Sequence, residues 1–282
     1  SYWQSLNGTW KFHWAPNPDE RPKAFYETQF DVAAWDDITV PSCWNVIGIQ
    51  KDGSLKYGVP IYCNQPVIFK HTKVVGDWKG GVMREPNKDW TTYKYRNEVG
   101  SYRRTFRIPE DWREREVYIN FDGVNSFFYL WINGKYVGFS KNSRNTASFN
   151  ISDYLVKGEN MVAVEVYRNS DGSFLDMYRL PGIFRDTYLT STSKVELRDM
   201  KINTDLTAGG ASVEVNAMLR NLGAKAVKGY SLTYSVYQNK LYSDEIVGQV
   251  GKPVVSETFV LDKDGSRKVS TRFEIAGARL WS

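Results

Sequence analysis

At 282 residues the chain exceeds one ordinary domain and suits one large domain followed by a smaller one. Apolar residues at 41% and charged residues at 24% describe a soluble globular protein, and no apolar run reaches membrane-spanning length. The formal charge of +5 is spread without a basic tract, which argues against a nucleic-acid groove.

Aromatic residues make up 15%, with 10 Trp and 18 Tyr. Such rings fill cores, and they also cover the C–H faces of sugars while their OH or NH groups bond hydroxyls. The only histidines are His13 and His71, too few for a zinc site or a His-based triad. Cys43 and Cys63 read as free thiols or as one structural disulfide, and spacing leaves both open. No signal-like apolar segment follows Ser1, and the compartment stays open between cytoplasm and periplasm.

Strand signals dominate. In TWKFHW (9–14) Trp10, Phe12 and Trp14 share one face and Lys11 and His13 the other, a period of two. Val117, Ile119 and Phe121 alternate likewise, and Asp122-Gly123 ends that run. Phe127–Ile132 is a dense aromatic strand. Asn133-Gly134 then forms a hairpin, because both central residues accept positive φ, and Tyr136–Phe139 returns. A short turn is expected at Ser152–Leu155, with Ser152 as its cap. Met161–Tyr167 places Val162, Val164 and Val166 on one face and Glu165 opposite, solvated or ion-paired. Helical periodicity is almost absent, so antiparallel strands of this number predict a sandwich or jelly roll.

Two stretches, Asn45–Gln65 and Lys70–Asn97, are long and lack alternation, as surface excursions or functional loops do. A boundary is expected near Ser191-Thr192-Ser193, giving domains 1–192 and 193–282. Beyond it five strands are expected, at Val195–Thr204, Ser212–Arg220, Tyr230–Gln238, Pro253–Leu261 and Lys268–Ile275. Turns fall at Asn221–Gly223 and Asp262–Gly265. The patterning is immunoglobulin-like but two strands short of seven, the mark of an incomplete sandwich and of a chain that is a fragment.

The segment SDGSFLDMYRLPGIFRD (170–186) sets three Asp and two Arg among apolar side chains. Asp171-Gly172 reads as a turn. Asp176 stands between Leu175 and Met177 and must find a partner there: Arg179, a substrate hydroxyl or a cation. Lys141 and Ser143-Arg144-Asn145 form a polar loop surface, and no phosphate-binding glycine loop is present.

GSYRRTFRIPEDW (100–112), FDGVNSFFYLWINGKYVGFSKNSR (121–144), FNISDYLVKGENMVAVEVYR (149–168) and SDGSFLDMYRLPGIFRDTYL (170–189) closely resemble the β-galactosidases of glycoside hydrolase family 2. So do SLNGTWKF (5–12) and VPSCWNVIG…GVPIYCNQPVIF (40–69). The resemblance implies an all-β chain: a galactose-binding-like jelly-roll sugar-binding domain, then an immunoglobulin-like sandwich. In that family a (β/α)8 barrel follows, carrying the two glutamates of a retaining double displacement. No alternating strand-helix pattern occurs here, so no catalytic residue is expected in this chain.

By the same resemblance Asn64 and Asp176 would bind the galactosyl hydroxyls, and Asp176 would help hold a sodium ion. Asp171, Arg179, Arg185 and Asp186 would support that loop, and magnesium would bind the barrel. The implied partners are a β-galactoside, the downstream barrel of the same chain and further copies in a homo-oligomer, with neither nucleic acid nor membrane. This sequence departs from the family in running from Leu175 straight into Asp176 and in carrying Asn169 and Tyr178 where Trp is common. A stand-alone carbohydrate-binding module, or a lectin-like sandwich without hydrolase activity, is the alternative. An adhesion sandwich with no sugar site is the third.

Overall fold

The computed structural model describes residues 2–63, 97–169 and 177–278. The chain divides into two compact units, Ser1–Ser191 and Thr192–Ser282.

The first unit contains β1 (Trp3–Ser5), β2 (Gly8–Ala15), β3 (Asp36–Val40), a one-turn helix α1 (Trp44–Ile47), β4 (Ile61–Cys63), β5 (Val99–Arg107), β6 (Glu116–Phe121), β7 (Val124–Asn125) and β8 (Phe127–Ile132). It continues with β9 (Lys135–Ser140), β10 (Ala147–Asn150), β11 (Glu159–Tyr167), β12 (Met177–Arg179), β13 (Gly182–Ile183) and β14 (Thr187–Thr192). Two antiparallel sheets carry the sandwich, one in the order β1-β14-β6-β10 and one in the order β3-β2-β5-β11-β8-β9.

The period-two signals become the core. Trp10 and Phe12 of β2, Val117, Ile119 and Phe121 of β6, and Phe128, Leu130 and Ile132 of β8 are at most 2% exposed. They meet Val162, Val164 and Val166 of β11 in one apolar cluster fed by both sheets. At Asn133-Gly134, φ values of 51° and 79° build the two-residue turn that joins Ile132 to its partner Lys135.

β11 is buried on both faces, not on the Val face alone. Its second face, with Met161 and Ala163, lies under Phe25, Tyr26, Phe30 and Trp35, which the segment between β2 and β3 folds back over the sheet. The expected turn forms at Ser152–Tyr154. Ser152 does not cap it; its hydroxyl accepts the Val117 N–H at 2.9 Å and so ties the turn to β6.

The second unit holds seven strands among the described residues, where five were expected. They are β15 (Val195–Thr207), β16 (Gly210–Asn221), β17 (Val227–Tyr230), β18 (Thr233–Asn239), β19 (Ile246–Val255), β20 (Phe259–Leu261) and β21 (Ser266–Ala276). β15, β16 and β21 form one sheet; β17 pairs with β20 and β18 with β19.

The difference has a physical cause. The run Tyr230–Gln238 divides because its two parts change partner: Tyr230 lies opposite Phe259, and Tyr234 opposite Val254. The facing run Pro253–Leu261 divides at the same level. There Leu232 and Ser256 exchange two bonds of 2.9 and 2.8 Å across the gap. β16 alternates strictly, with Ala211, Val213, Val215, Ala217 and Leu219 buried. Asn221 closes its end, its amide donating to the carbonyls of Lys225 and Asp262 at 2.8 and 3.0 Å.

Candidate functional site

The strands that flank the sequence-predicted site residues are brought together. β12 pairs antiparallel with β4: Arg179 lies opposite Ile61, Tyr178 opposite Tyr62, and Met177 opposite Cys63. Asn64 follows Cys63 in the chain and Asp176 precedes Met177, so each is covalently joined to one member of the last pair. Asn64, Asp171 and Asp176 lie outside the described residues, and with Asp176 the sodium assignment. The long stretch over 70–96 lies outside them as well. Among the described residues, no group of three His, Cys, Asp or Glu is arranged to hold a metal.

The chain just after β12 is fixed by backbone bonds. Ser42 N–H donates to Ile183 O at 2.7 Å and Trp44 N–H to Pro181 O at 3.1 Å, while the Asn125 amide holds Leu180 O at 3.0 Å. Gly182 sits between these bonds at φ 136°, where a Cβ would stand 2.5 Å from Ser42 O, so only glycine fits. Beside this junction Cys43 is a free, half-buried thiol whose pKa burial pushes up.

Arg185 and Asp186, expected to support the loop, have no ion-pair partner among the described residues. Arg185 donates to Arg144 O at 3.2 Å, and both guanidiniums stack on Phe184, at 5.4 and 5.1 Å from its ring centre. Asp186 accepts from the Asn7 amide at 2.9 Å, and the Asn7 side-chain oxygen accepts the Thr187 N–H. Both residues therefore anchor the chain that leads into β14.

The most buried charges of this region went unread in the sequence. Arg168, directly after β11, and Glu98, directly before β5, form an ion pair of 2.8 Å with 2% and 0% of their side chains exposed. The Arg168 N–H bonds Glu98 O, and its second guanidinium nitrogen donates to Val59 O at 2.9 Å. Asn97, at φ 55°, accepts the Asn169 N–H through its side-chain oxygen. Asn45 of α1 donates to Tyr57 O and, at 3.5 Å, to Glu98. Gly58 leaves room for the carboxylate, since a Cβ there would lie 2.2 Å from Glu98 Oε1.

Burial pushes the Glu98 pKa up, against the pull of Arg168, and burial pushes that of Arg168 down. Glu98 Oε1, Asn45 Oδ1, Asn97 Nδ2 and Asn169 Oδ1 are buried without a hydrogen-bond partner among the described residues. No local pattern announces a pair 70 residues apart in the chain. The one hint is an Arg placed at the end of a Val-rich strand.

A second buried carboxylate, Glu165, lies on the outer face of the larger sheet. It is 4% exposed, paired with Arg21 at 3.2 Å, and accepts the Tyr167 hydroxyl at 2.7 Å, so it is ion-paired and not solvated. Half-buried rings of Phe127 and Tyr129 flank Tyr167. Burial raises the Glu165 pKa more than Arg21 and Tyr167 lower it.

A carboxyl with a raised folded-state pKa stabilises the fold below its unfolded pKa. That contribution is lost as pH rises through the folded value. Glu165→Gln is therefore expected to gain stability relative to the native chain as pH rises from acid to neutral, in urea unfolding across that range. A difference that stays constant with pH counts against the assignment.

Residues 3–193 match the family described as "Glycosyl hydrolases family 2, sugar binding domain". A beta-galactosidase of Priestia megaterium is 38% identical over 284 residues, covering 100% of this chain and 25% of the relative. A beta-galactosidase of Halalkalibacterium halodurans is 41% identical over 205 residues, covering 72% of this chain and 18% of the relative. The chain thus spans a quarter or less of the length of these relatives.

Among solved structures, a Bacteroides uniformis beta-glucuronidase superposes with a TM-score of 0.70 at 20% identity, over 99% of this chain and 28% of the other. A Bacteroides cellulosilyticus member of glycosyl hydrolase family 2 gives 0.65 at 22%, over 100% of this chain and 32% of the other. These likenesses carry the fold alone. The family match, together with the β-sandwich it covers, places the chain in glycosyl hydrolase family 2, with the sugar-binding domain of that family over residues 3–193.

Proposed function

We propose that this chain is the non-catalytic N-terminal part of a retaining β-galactosidase, and that it lends Asn64 and Asp176 to the pocket for the terminal galactose. The observation that carries the reading is the β4–β12 ladder. It ends at Cys63 opposite Met177, the residues next to Asn64 and Asp176 in the chain, and that register supports a shared role for the two.

The chemistry suits a sugar. An Asn amide both donates and accepts, and a carboxylate accepts from hydroxyls. Retaining hydrolysis needs a carboxylic acid and a carboxylate about 5–5.5 Å apart across the glycosidic bond. In this reading the downstream barrel supplies both, so the 282 residues alone bind galactose weakly and turn over nothing. The relatives at 38% and 41% identity, both beta-galactosidases, favour galactosides over glucuronides.

The test uses the full-length protein with aryl β-galactoside and aryl β-glucuronide. Asn64→Ala and Asp176→Asn are each expected to lower kcat/KM on the galactoside by about 10- to 100-fold, the worth of one or two hydrogen bonds to charged or hydroxyl groups. Wild-type activity in both variants, with unchanged thermal midpoints, would sink the reading. Tight galactose binding by the 282-residue chain alone would favour a carbohydrate-binding module instead.

A further inference from the structure

The outer face of the larger sheet ends in open aromatic rings. β9 is its edge strand, next to β8, and Tyr136 and Phe139 of β9 are 50% and 52% exposed. Trp131 and Tyr129 of β8 lie opposite them, half-buried. The aliphatic residues of β8 face the other way, with Leu130 and Ile132 fully buried in the core. An apolar edge strand invites unwanted pairing, so two large rings left open on one ask for a use.

The rings suit a flat partner. Tyr129 meets Tyr136 and Phe139 at 58° and 60°, and Trp131 meets Tyr136 at 63°, so none of them lies flat on its neighbour. Tyr26, stacked on Trp131 at 6° and 5.0 Å, walls the row at its Trp131 end. Polar groups stand beside the rings. Arg21 gives Nε to Glu165 at 3.2 Å and Nη1 to Pro18 O, and the Tyr167 hydroxyl donates to the same carboxylate at 2.7 Å. Tyr129 joins the two groups, being near enough to Tyr136, Glu165 and Arg21 to feel each of them.

The charges of Arg21 and Glu165 cancel, and β8 and β9 together hold one charged residue, Lys135, at their turn. A face of this kind is aromatic, neutral and fringed with donors. Rings then cover the C–H side of a sugar while hydroxyls and a guanidinium bond its oxygens. An acidic glycan or a nucleic acid finds no cluster of cations there.

We propose that the outer face of β8 and β9 is a carbohydrate-binding surface, which takes a neutral glycan chain laid across Tyr136 and Phe139 with Arg21 and the tyrosine hydroxyls as donors. The inference goes beyond the reading above and needs neither Asn64 nor Asp176. A surface of this kind raises the local concentration of a polymer and leaves the handling of a small soluble galactoside unchanged.

The experiment runs the full-length protein through native gels cast with a neutral polysaccharide (galactan, mannan or hydroxyethylcellulose) or with polygalacturonate. kcat and KM on an aryl β-galactoside and the thermal midpoint are measured alongside. The native protein is expected to be retarded by at least one of the neutral polymers. Tyr136→Ala combined with Phe139→Ala is expected to weaken that binding by about 10- to 100-fold, the worth of two ring contacts, with kcat and KM on the small galactoside unchanged. The two single variants serve if the double one fails to fold, and Tyr136→Phe, which keeps the ring, retains most of the binding.

A native protein that no neutral gel retards overturns the proposal, and so does retardation that the double variant keeps. Stronger binding to polygalacturonate than to the neutral polymers overturns it as well, since the face would then be reading charge. An assembly that the double variant breaks into smaller species in sedimentation, with the gels unchanged, means that a second copy covers the rings, and the proposal fails.

Discussion

Arg168→Met is expected to lower the unfolding free energy by about 3–5 kcal/mol, the cost of leaving a buried charge without its partner. Glu98 is fully buried, and Arg168 is the positive charge set against it among the described residues. With the guanidinium gone, the Glu98 carboxyl relieves its desolvation by holding a proton, and its folded-state pKa rises further above the unfolded value.

The sign of the pH dependence follows. The variant is least impaired below the unfolded pKa of Glu98, and it loses stability as pH rises through the higher folded value. Replacing both partners, as Arg168→Met with Glu98→Leu, is expected to return much of the loss, since a packed apolar pair often matches an ion pair. Urea unfolding followed by tryptophan fluorescence, at acidic and at neutral pH, measures all three. A single variant as stable as the native chain at neutral pH refutes the account.

Phe12→Ala is expected to cost about 3–5 kcal/mol, the range for emptying an aromatic site in a core that cannot collapse. Phe12 has no exposed surface, and the rings of Tyr102, Tyr57 and Trp44 surround it at 4.8, 5.1 and 5.9 Å. Gly100 already lets Phe12 and Trp44 approach the backbone as closely as packing permits, since a Cβ there would lie 2.6 Å from Trp44. Tyr102 is held in β5, Trp44 in α1 with its N–H on Pro181 O, and Tyr57 by its hydroxyl on Asp36, so they have little freedom to fill the hole.

Phe139 offers the control. It sits on β9 at the sheet edge and is 52% exposed, so Phe139→Ala is expected to cost about 1 kcal/mol or less. Equal losses at the two positions would mean that the sandwich core is not where the burial places it.

What was readable in the sequence was local. Asn133-Gly134 announced its hairpin because positive φ at two successive residues is a property of those residues. The alternation around Trp10, Val117 and Val162 announced core faces because side chains point to opposite sides along any strand. The second face of β11 was not readable, since its cover comes from Phe25, Tyr26, Phe30 and Trp35, more than a hundred residues away in the chain. The partner switch near Leu232 and Ser256 was hidden for the same reason: a continuous run of strand-forming residues does not say which neighbour it bonds. β19 begins at Ile246, earlier than its pattern suggested, because Gly248 and Gly251 interrupt the alternation without ending the ladder.

The candidate site was named by a different route. Motif resemblance pointed to Asn64 and Asp176, which lie outside the described residues, and the β4–β12 register joins the strands that precede the one and follow the other in the chain. The buried ion pair of Glu98 and Arg168 was not legible, because its meaning lies in the contact the two make and not in their neighbours along the chain.

The pairing of β1 with β14 sets an order of events at the ribosome. Trp3 lies opposite Thr190, so β1 leaves the exit tunnel well before its hydrogen-bonding mate β14, the last strand of its sheet, emerges. During most of the synthesis of this unit its first few residues wait as an unpaired edge, and the four-stranded sheet is completed in a single late step.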